Sequence, residues 1–232
     1  MIKSSKAVKS SAEISKIEKA CKLGDKIFDY VLKKIKLGVT EKKLAQEIKL
    51  FAKKHGTNLS FPSIVAFGAN SAFPHHIPTN KKLTKNQIVL LDFGVKLNNY
   101  CSDMTRTVFF GKANLKFKKI YNTVLESQEK AIKELNRTTK ASEIDKIARD
   151  YIISKSYPTM PHGLGHGIGT EVHENPHLAP KSKEILKEKM VFSIEPGIYL
   201  ENYGGVRIED LVVLEKKVPR LLTHSPKNII EI

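Results

Sequence analysis

The sequence contains only two cysteines and no apolar run long enough to cross a membrane. A spanning helix needs about 18 to 20 predominantly apolar residues, and the basic N-terminal segment also lacks the apolar core of a secretory signal. Neither Cys21 nor Cys101 belongs to a C-x-x-C pair. We therefore expect a cytoplasmic protein with two partly buried free thiols and no structural disulfide.

Arginine is also scarce, although the net charge is +16: only five of the 40 basic residues are arginines. Sites that read bases or grip phosphates favour arginine, because its planar guanidinium offers paired donors. The lysines occur as adjacent pairs in helical segments, such as Lys42–Lys43 and Lys53–Lys54. This distribution is typical of a solvated helix surface. We therefore predict that nucleic acid is not a partner, a question that the charge alone raises.

The first half of the chain shows two helical patterns followed by strand patterns. Residues 12–36 carry apolar side chains at helical spacing, and Thr40 can cap a second helix. Apolar runs typical of strands follow at 63–67, 88–97 and 105–110.

The second half repeats this order, beginning with a helical pattern that ends at Leu135. Ser142 with Asp145 three residues later predicts a capping box at the start of the next helix. Strand-like runs then lie at 190–195, 197–200 and 205–214. We predict an α+β fold with helices on one face of a curved antiparallel sheet and a cleft on the other.

Four carboxylates interrupt or border these apolar strand runs: Asp92, Asp103, Glu195 and Glu209. A carboxylate in a buried strand is costly unless it is paired or binds a metal. A single case is usually a satisfied ion pair. Four cases in a chain of this length are hard to explain separately, and metal ions could neutralise all of them.

Histidines are concentrated in glycine- and proline-rich segments. His75 lies in Pro-His-His-Ile-Pro, while His162 and His166 lie in His-Gly-Leu-Gly-His-Gly, and His173 follows shortly after. Glycine at alternate positions lets the backbone approach a ligand closely. A lone histidine would more often be structural, but histidines together with strand carboxylates favour a functional site.

Four carboxylates and one imidazole form an oxygen-rich ligand set. Such a set suits two divalent ions such as manganese, cobalt or zinc better than a closed structural zinc site. A water held between two metals about 3.5–4 Å apart would be acidic enough to act as a hydroxide nucleophile. The residues therefore predict hydrolysis of an unactivated bond, such as a peptide bond.

These residues resemble the dimetal ligand series of the pita-bread metallopeptidases, which include methionine aminopeptidases, Xaa-Pro aminopeptidases and prolidases. The resemblance extends from about Val8 to Pro226 and rests on five residues and the short sequence motifs around them. It implies the pita-bread fold, with helices on the outer face of the curved sheet and a pseudo-two-fold internal duplication. It also implies two divalent ions, manganese in the first place and cobalt or zinc otherwise. The implied metal ligands are Asp92, Asp103, His166, Glu195 and Glu209, of which Asp103 and Glu209 would contact both ions.

Three local motifs resemble the Xaa-Pro branch of this family: Pro-His-His-Ile-Pro, His-Gly-Leu-Gly-His-Gly and Gly-Val-Arg-Ile-Glu-Asp. By that likeness His75 and His173 are catalytic candidates that contact substrate and the tetrahedral intermediate. His162 would line the proline side, and Arg207 would lie beside the bridging carboxylate. The implied activity is an aminopeptidase or dipeptidase that hydrolyses the N-terminal Xaa-Pro bond through a metal-bridging hydroxide.

We expect residues 1–232 to form a single catalytic domain without the N-terminal domain that Xaa-Pro peptidases typically carry. The expected partners are peptides with proline at the second position, and the resemblance also allows a homodimer. One alternative is a methionine aminopeptidase with atypical motifs, which the short chain favours. Another is an inactive pita-bread module that binds protein or RNA, for which the positive charge is the only support.

Overall fold

The computed structural model describes residues 6–135, 140–216 and 218–232; the remaining residues of the predicted domain lie outside this description. Within it, the chain forms four α-helices, thirteen strands and one short 3-10 helix at Gly68–Ala72. The helices are α1 (Ser11–Leu32), α2 (Glu41–Lys54), α3 (Leu115–Glu134) and α4 (Ala141–Ser154). The strands are β1 (Asn58–Leu59), β2 (Ile64–Phe67), β3 (Gln87–Phe93), β4 (Val95–Leu97), β5 (Tyr100–Cys101), β6 (Met104–Phe110), β7 (Gly165–Gly167), β8 (Glu174–Leu178), β9 (Val191–Ile194), β10 (Gly197–Leu200), β11 (Gly204–Arg207), β12 (Asp210–Glu215) and β13 (Val218–Leu221).

Polar caps begin three of the helices. Ser10 and Glu13 form a capping box at α1, and the Thr40 side chain accepts a hydrogen bond from Lys43 N at α2, as predicted. Asn114 caps α3 in the same way. Each cap satisfies an amide that the first helical turn leaves unpaired.

The predicted capping box at α4 is wrong. The N-cap of α4 is Lys140, which makes no side-chain cap hydrogen bond, and Ser142 lies inside the helix. Asp145 is buried, and its carboxylate accepts hydrogen bonds from Arg149 and from Leu164 N. This carboxylate therefore ties α4 to the segment that precedes β7 instead of starting the helix.

The strand pairings within the sheets are antiparallel, in agreement with the predicted sheet type. The first half contributes the order β2-β3-β6, and the second half contributes β13-β12-β9-β7-β8. Two smaller groups, β1-β4-β5 and the hairpin β10-β11, complete the ladders. Helices α1 and α2 pack on the first group, whereas α3 and α4 pack on strands of the second half.

Two runs that the sequence presents as continuous strands are interrupted. Residues 88–97 divide between β3 and β4 at Gly94, where a Cβ atom would lie 1.8 Å from the Ser102 carbonyl oxygen. Residues 205–214 divide between β11 and β12 at Ile208 and Glu209. Each interruption lies next to a residue predicted to bind metal, so the breaks orient the chain around the cleft.

A third apolar cluster joins the two halves. Ile14, Ile17 and Cys21 of α1 belong to the same cluster as Leu211 and Val213 of β12. Cys21 and Cys101 are both free, and both are buried rather than partly buried as predicted. Burial raises the pKa of both thiols, that of Cys101 to about 11. Within the described ranges, no helix combines the length and apolar character that crossing a lipid bilayer requires.

Candidate active site

All nine residues singled out in the sequence line one cleft of about 430 Å³. They are His75, Asp92, Asp103, His162, His166, His173, Glu195, Arg207 and Glu209. A larger surface groove of about 950 Å³ beside β13 contains none of them. The residues that line the cleft, rather than its volume, therefore identify the candidate site.

The five predicted metal ligands come from five places in the strand framework. Asp92 lies in β3, and Asp103 lies immediately before β6. His166 is the middle residue of β7, Glu195 directly follows β9, and Glu209 lies between β11 and β12. Both halves of the chain therefore contribute ligand candidates to the cleft.

Three of these side chains can hold one ion together. Asp103, His166 and Glu209 each offer a ligand atom, and these atoms all lie within 4.8 Å of one another. The His166 Nδ1 atom lies 3.1 Å from the Gly167 carbonyl oxygen, to which it can donate as the neutral imidazole. That tautomer leaves the Nε2 lone pair free on the side of Asp103 and Glu195. This is the arrangement that a metal-binding histidine normally adopts.

Among the residues that the structure describes, three buried carboxylate oxygens in the cleft have no hydrogen-bond partner: Asp92 Oδ1, Asp103 Oδ1 and Glu209 Oε1. Buried polar atoms are normally satisfied, so three such oxygens in one cleft indicate a missing positive group. The other oxygens are held firmly. Arg207 Nη2 donates to Asp92 Oδ2 at 2.6 Å, and Thr105 Oγ1 donates to Glu209 Oε2 at 2.7 Å. The residues present therefore fit the binding of divalent cations.

The charges of the cleft lead to the same conclusion. Burial, reinforced by repulsion from neighbouring carboxylates, raises the pKa of Asp92, Asp103 and Glu209 above the ordinary range. Burial also opposes ionisation of Glu195, but the contact with His166 outweighs it and lowers the pKa of Glu195 to about 2. Conversely, Glu195 outweighs the burial of His166 and raises its pKa to about 9. Fully ionised, the four carboxylates would exceed the positive charge of His166 and Arg207, so the raised pKa values mark a cleft that favours bound protons or cations.

A hydrogen-bonded chain runs from Asp92 to His162. Arg207 donates from Nη2 to Asp92 and from Nη1 to the Tyr199 hydroxyl at 2.9 Å. The hydroxyl lies 2.8 Å from His162 Nε2, while His162 Nδ1 lies 2.7 Å from the Gly163 carbonyl oxygen. Burial lowers the pKa of His162 and raises that of Tyr199 to about 12. His162 is therefore a neutral ring that donates a hydrogen bond through Nδ1 and accepts one from the Tyr199 hydroxyl at Nε2.

The two remaining histidines lie at the rim of the cleft. His173 is exposed immediately before β8, and its ring centroid lies 4.2 Å from that of His166 in an edge-to-face arrangement. Partial burial of the ring, together with the nearby His166, lowers the pKa of His173. His75 is exposed in the segment between the 3-10 helix and β3. Both side chains can therefore reach a ligand that enters the cleft.

Sequence reasoning missed three side chains that hold the predicted ligands. Ser193 Oγ donates to Glu195 Oε1, Thr105 contacts Glu209, and Tyr199 joins Arg207 to His162. Ser193 could have been found, because it lies two residues before Glu195 and so shares its face of the strand. Tyr199 and Thr105 carried no distinguishing pattern, since their partners lie elsewhere in the chain.

Comparison with known proteins identifies the family of this chain. The sequence profile of Metallopeptidase family M24 matches residues 15–216. The chain belongs to this family. The five ligand candidates all fall inside the matched region, as do the four other residues of the cleft.

Similar solved structures confirm the α+β pita-bread fold. An X-Pro aminopeptidase from Thermotoga maritima has 37% sequence identity and a TM-score of 0.94, over 97% of this chain and 65% of that chain. An Xaa-Pro dipeptidase from Bacillus anthracis has 38% identity and a TM-score of 0.95, over 97% of this chain and 64% of that chain. An uncharacterized peptidase from Staphylococcus haemolyticus is 42% identical over 228 residues. The present chain spans 65% of the length of that curated relative.

Proposed function

We propose that this chain is the catalytic domain of a dimetal aminopeptidase that hydrolyses the bond between an N-terminal residue and proline. The observation that carries the proposal is the convergence of the five ligand candidates, with three unsatisfied buried carboxylate oxygens, beside three histidines. We also propose that residues 1–232 form one domain. A cytoplasmic location and a homodimer stay predictions.

Five side chains would hold two divalent ions: Asp92, Asp103, His166, Glu195 and Glu209. Four carboxylates would balance the charge of two dications, and their oxygen-rich character favours manganese, with cobalt or zinc as the other candidates. When bound, such ions would acidify a water molecule and polarise the scissile carbonyl group. This chemistry is what cleavage of an unactivated peptide bond requires.

The residues around the ligands would keep them in place during turnover. Arg207 holds one oxygen of Asp92, Thr105 holds one oxygen of Glu209, and Ser193 contacts Glu195. At Asp92 and at Glu209, the oxygen that accepts this hydrogen bond is not the oxygen that is left unsatisfied. The carboxylates are thus oriented before an ion binds, which lowers the cost of reorganisation in the reaction.

The histidines support the preference for proline. A bond to proline has no N–H, so its site needs shape and a proton donor instead of a backbone acceptor. His162 presents a half-buried neutral ring to the cleft, and its orientation is set by Tyr199 and Gly163. His75 and His173 lie at the rim, where an imidazole can donate to an oxyanion or to a leaving amine. The names of the similar solved structures, an X-Pro aminopeptidase and an Xaa-Pro dipeptidase, support the same reaction.

A substrate comparison tests this function. The purified chain is assayed on Ala-Pro, Ala-Pro-Ala and Met-Ala-Ser, with manganese, cobalt and zinc added separately. We expect Xaa-Pro cleavage to exceed Met-Ala-Ser cleavage at least about ten-fold in kcat/KM, or about 1.4 kcal/mol of discrimination. His162→Ala is expected to reduce this preference more than it reduces metal content.

The alternatives give different results in the same assay. Preferential cleavage of Met-Ala-Ser would indicate a methionine aminopeptidase and would overturn the proline specificity alone. A chain that binds no metal and cleaves no peptide would instead be an inactive binding module. Metal content measured by atomic emission separates these two outcomes.

A further inference from the structure

The segment of residues 74–79, which contains His75, makes few hydrogen bonds within itself. Residues 74–79 form neither helix nor strand, and Ile77 is 80% exposed. Its backbone makes one local hydrogen bond, from His76 N to the Phe73 carbonyl oxygen, and Lys42 N of α2 donates to the Thr79 carbonyl oxygen. Another part of the molecule must therefore determine where His75 lies in the cleft.

The side chain that holds this segment is Glu41, the first residue of α2. It is completely buried. Its Oε2 atom accepts hydrogen bonds from Thr79 N at 2.9 Å and from Thr79 Oγ1 at 2.6 Å, and His76 Nε2 lies 2.9 Å away. Its Oε1 atom accepts from Phe67 N and from Asn70 Nδ2, both at 2.9 Å. One carboxylate thus connects α2 to both sides of the His75 segment.

The charge of this carboxylate is well supported. Burial by itself raises the pKa of Glu41, but hydrogen bonds from Thr79, His76 and Phe67 outweigh it, so the pKa lies below the ordinary value. The position at the start of α2 also favours a negative charge through the helix dipole. Lys81 extends the network, since its Nζ atom donates to the Phe67 carbonyl oxygen.

A buried glutamate at a helix start is commonly just a stabilising residue. The partners of Glu41 indicate a more specific role, because all five contacts lie in residues 67–79 and none returns to α2. By contrast, Glu47 on the same helix accepts from Tyr30 of α1, away from the cleft. We propose that Glu41 is a positioning residue that fixes His76 and Thr79 and thereby holds His75 in the cleft. This inference rests on the proposed peptidase function.

The test compares Glu41→Gln with Glu47→Gln, which makes the same change on the same helix. The new amide group replaces one acceptor oxygen by a donor, so the site loses the hydrogen bond from Phe67 N or that from Thr79 N, since a backbone N–H cannot accept. With Ala-Pro as substrate and manganese present, Glu41→Gln is expected to lower kcat about ten-fold or more. Metal content is expected to stay unchanged, and Glu47→Gln is expected to keep wild-type turnover.

A second measurement separates positioning from general destabilisation. In a His75→Ala background, Glu41→Gln is expected to lower kcat by less than about two-fold further, because both changes remove the same contribution. Losses that multiply in the double variant would overturn the proposal. If Glu41→Gln does not fold, Thr79→Val removes one of the hydrogen bonds and is expected to show a smaller loss with the same non-additivity.

Hydrogen exchange tests the same idea without a substrate. Amides of residues 74–79 are expected to exchange faster in Glu41→Gln than in Glu47→Gln or the wild type. Unchanged exchange would overturn the inference even in an active enzyme. Absence of Xaa-Pro hydrolysis in the wild-type chain would instead overturn the proposed function, so the two failures are distinguishable.

Discussion

Two buried arginine–aspartate pairs join the halves of the chain, one facing the cleft and the other away from it. Arg207 of β11 pairs with Asp92 of β3, and Arg106 of β6 pairs with Asp210 of β12. Both pairs have a nitrogen–oxygen distance of 2.6 Å. The same type of buried ion pair therefore occurs in two different environments.

In the pair formed by Arg106 and Asp210, both aspartate oxygens face a cation, although Asp210 Oδ2 accepts no hydrogen bond from the described residues. Arg106 also donates to the carbonyl oxygens of Thr105, Glu209 and Ser225. Asp210 also accepts from Thr223 Oγ1, and its second oxygen lies 2.9 Å from Lys227 Nζ. Burial opposes the charge of Asp210, but Arg106 and Lys227 outweigh it and lower its pKa.

The pair formed by Arg207 and Asp92 is incomplete. Asp92 Oδ1 has no hydrogen-bond partner, and burial raises the pKa of Asp92 even though Arg207 opposes the shift. Burial is therefore shared by the structural and the functional aspartate. Each aspartate also keeps one oxygen without a hydrogen-bond partner. What distinguishes the functional one is the charge around it: among the described residues Asp92 forms an ion pair with Arg207 alone, whereas Asp210 pairs with both Arg106 and Lys227.

The largest effects are expected at two neighbouring residues: Glu209, which belongs to the cleft, and Asp210, which belongs to the structural pair. Glu209→Gln is expected to remove at least one metal ion and to lower turnover roughly 10²-fold or more, because Glu209 is proposed to contact both ions. The metal-free variant is expected to be no less stable than the metal-free wild type, since the cost of burying or protonating this carboxylate disappears. Metal analysis, Ala-Pro turnover and urea unfolding check these outcomes.

Asp210→Asn is the matched change on the other side. It leaves the Arg106 charge buried beside a neutral amide, and we expect unfolding in urea to cost about 3–5 kcal/mol less than in the wild type. Metal content is expected to be retained in the folded fraction. The comparison fails if Asp210→Asn loses metal while keeping its stability, or if Glu209→Gln retains both metal and turnover.

An intermediate effect is expected when each arginine is replaced by lysine, which keeps the charge. Lysine has three donors and cannot reproduce the bonds that Arg106 makes with four acceptors, so Arg106→Lys is expected to destabilise by about 1–3 kcal/mol. Arg207→Lys breaks the connection from Asp92 through Tyr199 to His162 and is expected to lower kcat about ten-fold with a smaller loss of stability. If the two variants lost the same amount of stability and the same fraction of kcat, the distinction between a structural Arg106 and a functional Arg207 would be contradicted.

The smallest effect is a pH dependence that distinguishes the cleft from the rest of the protein. Asp103, Glu209 and His166 all have raised pKa values in the folded chain. Such groups bind more protons folded than unfolded, so the chelator-treated protein is expected to lose stability as the pH rises from about 5 to 9. Glu195 acts oppositely, but only below its ordinary range, because its pKa is lowered to about 2.

Thermal unfolding with and without a chelator checks this dependence. Added manganese is expected to flatten the profile in the alkaline range, because the carboxylates then remain charged without mutual repulsion. A profile of the chelated protein that is flat, or that rises between pH 5 and 9, would show that the cleft carboxylates are neutralised in another way.

Much of the fold could be predicted because its causes are local. The stripe of α1 and the cap at Thr40 each depend on residues only a few positions apart. The ligand candidates were also found locally, since a carboxylate such as Asp92 stands out against an apolar strand. The α4 capping box failed because Asp145 has its partner at Leu164, beyond the helix, and that competition cannot be seen in the local pattern.

The sequence by itself therefore determined the α+β class, the order of the elements and which polar residues are exceptional, because periodicity and burial cost act between near neighbours. Only the tertiary structure decided which exceptional residues remain unsatisfied and which side chains hold them. Arg207 reaches Asp92 across 115 positions of the chain, and Glu41 reaches His76 across 35. A hydrogen bond requires two atoms to meet within about 3 Å, and only the folded chain brings such distant residues together.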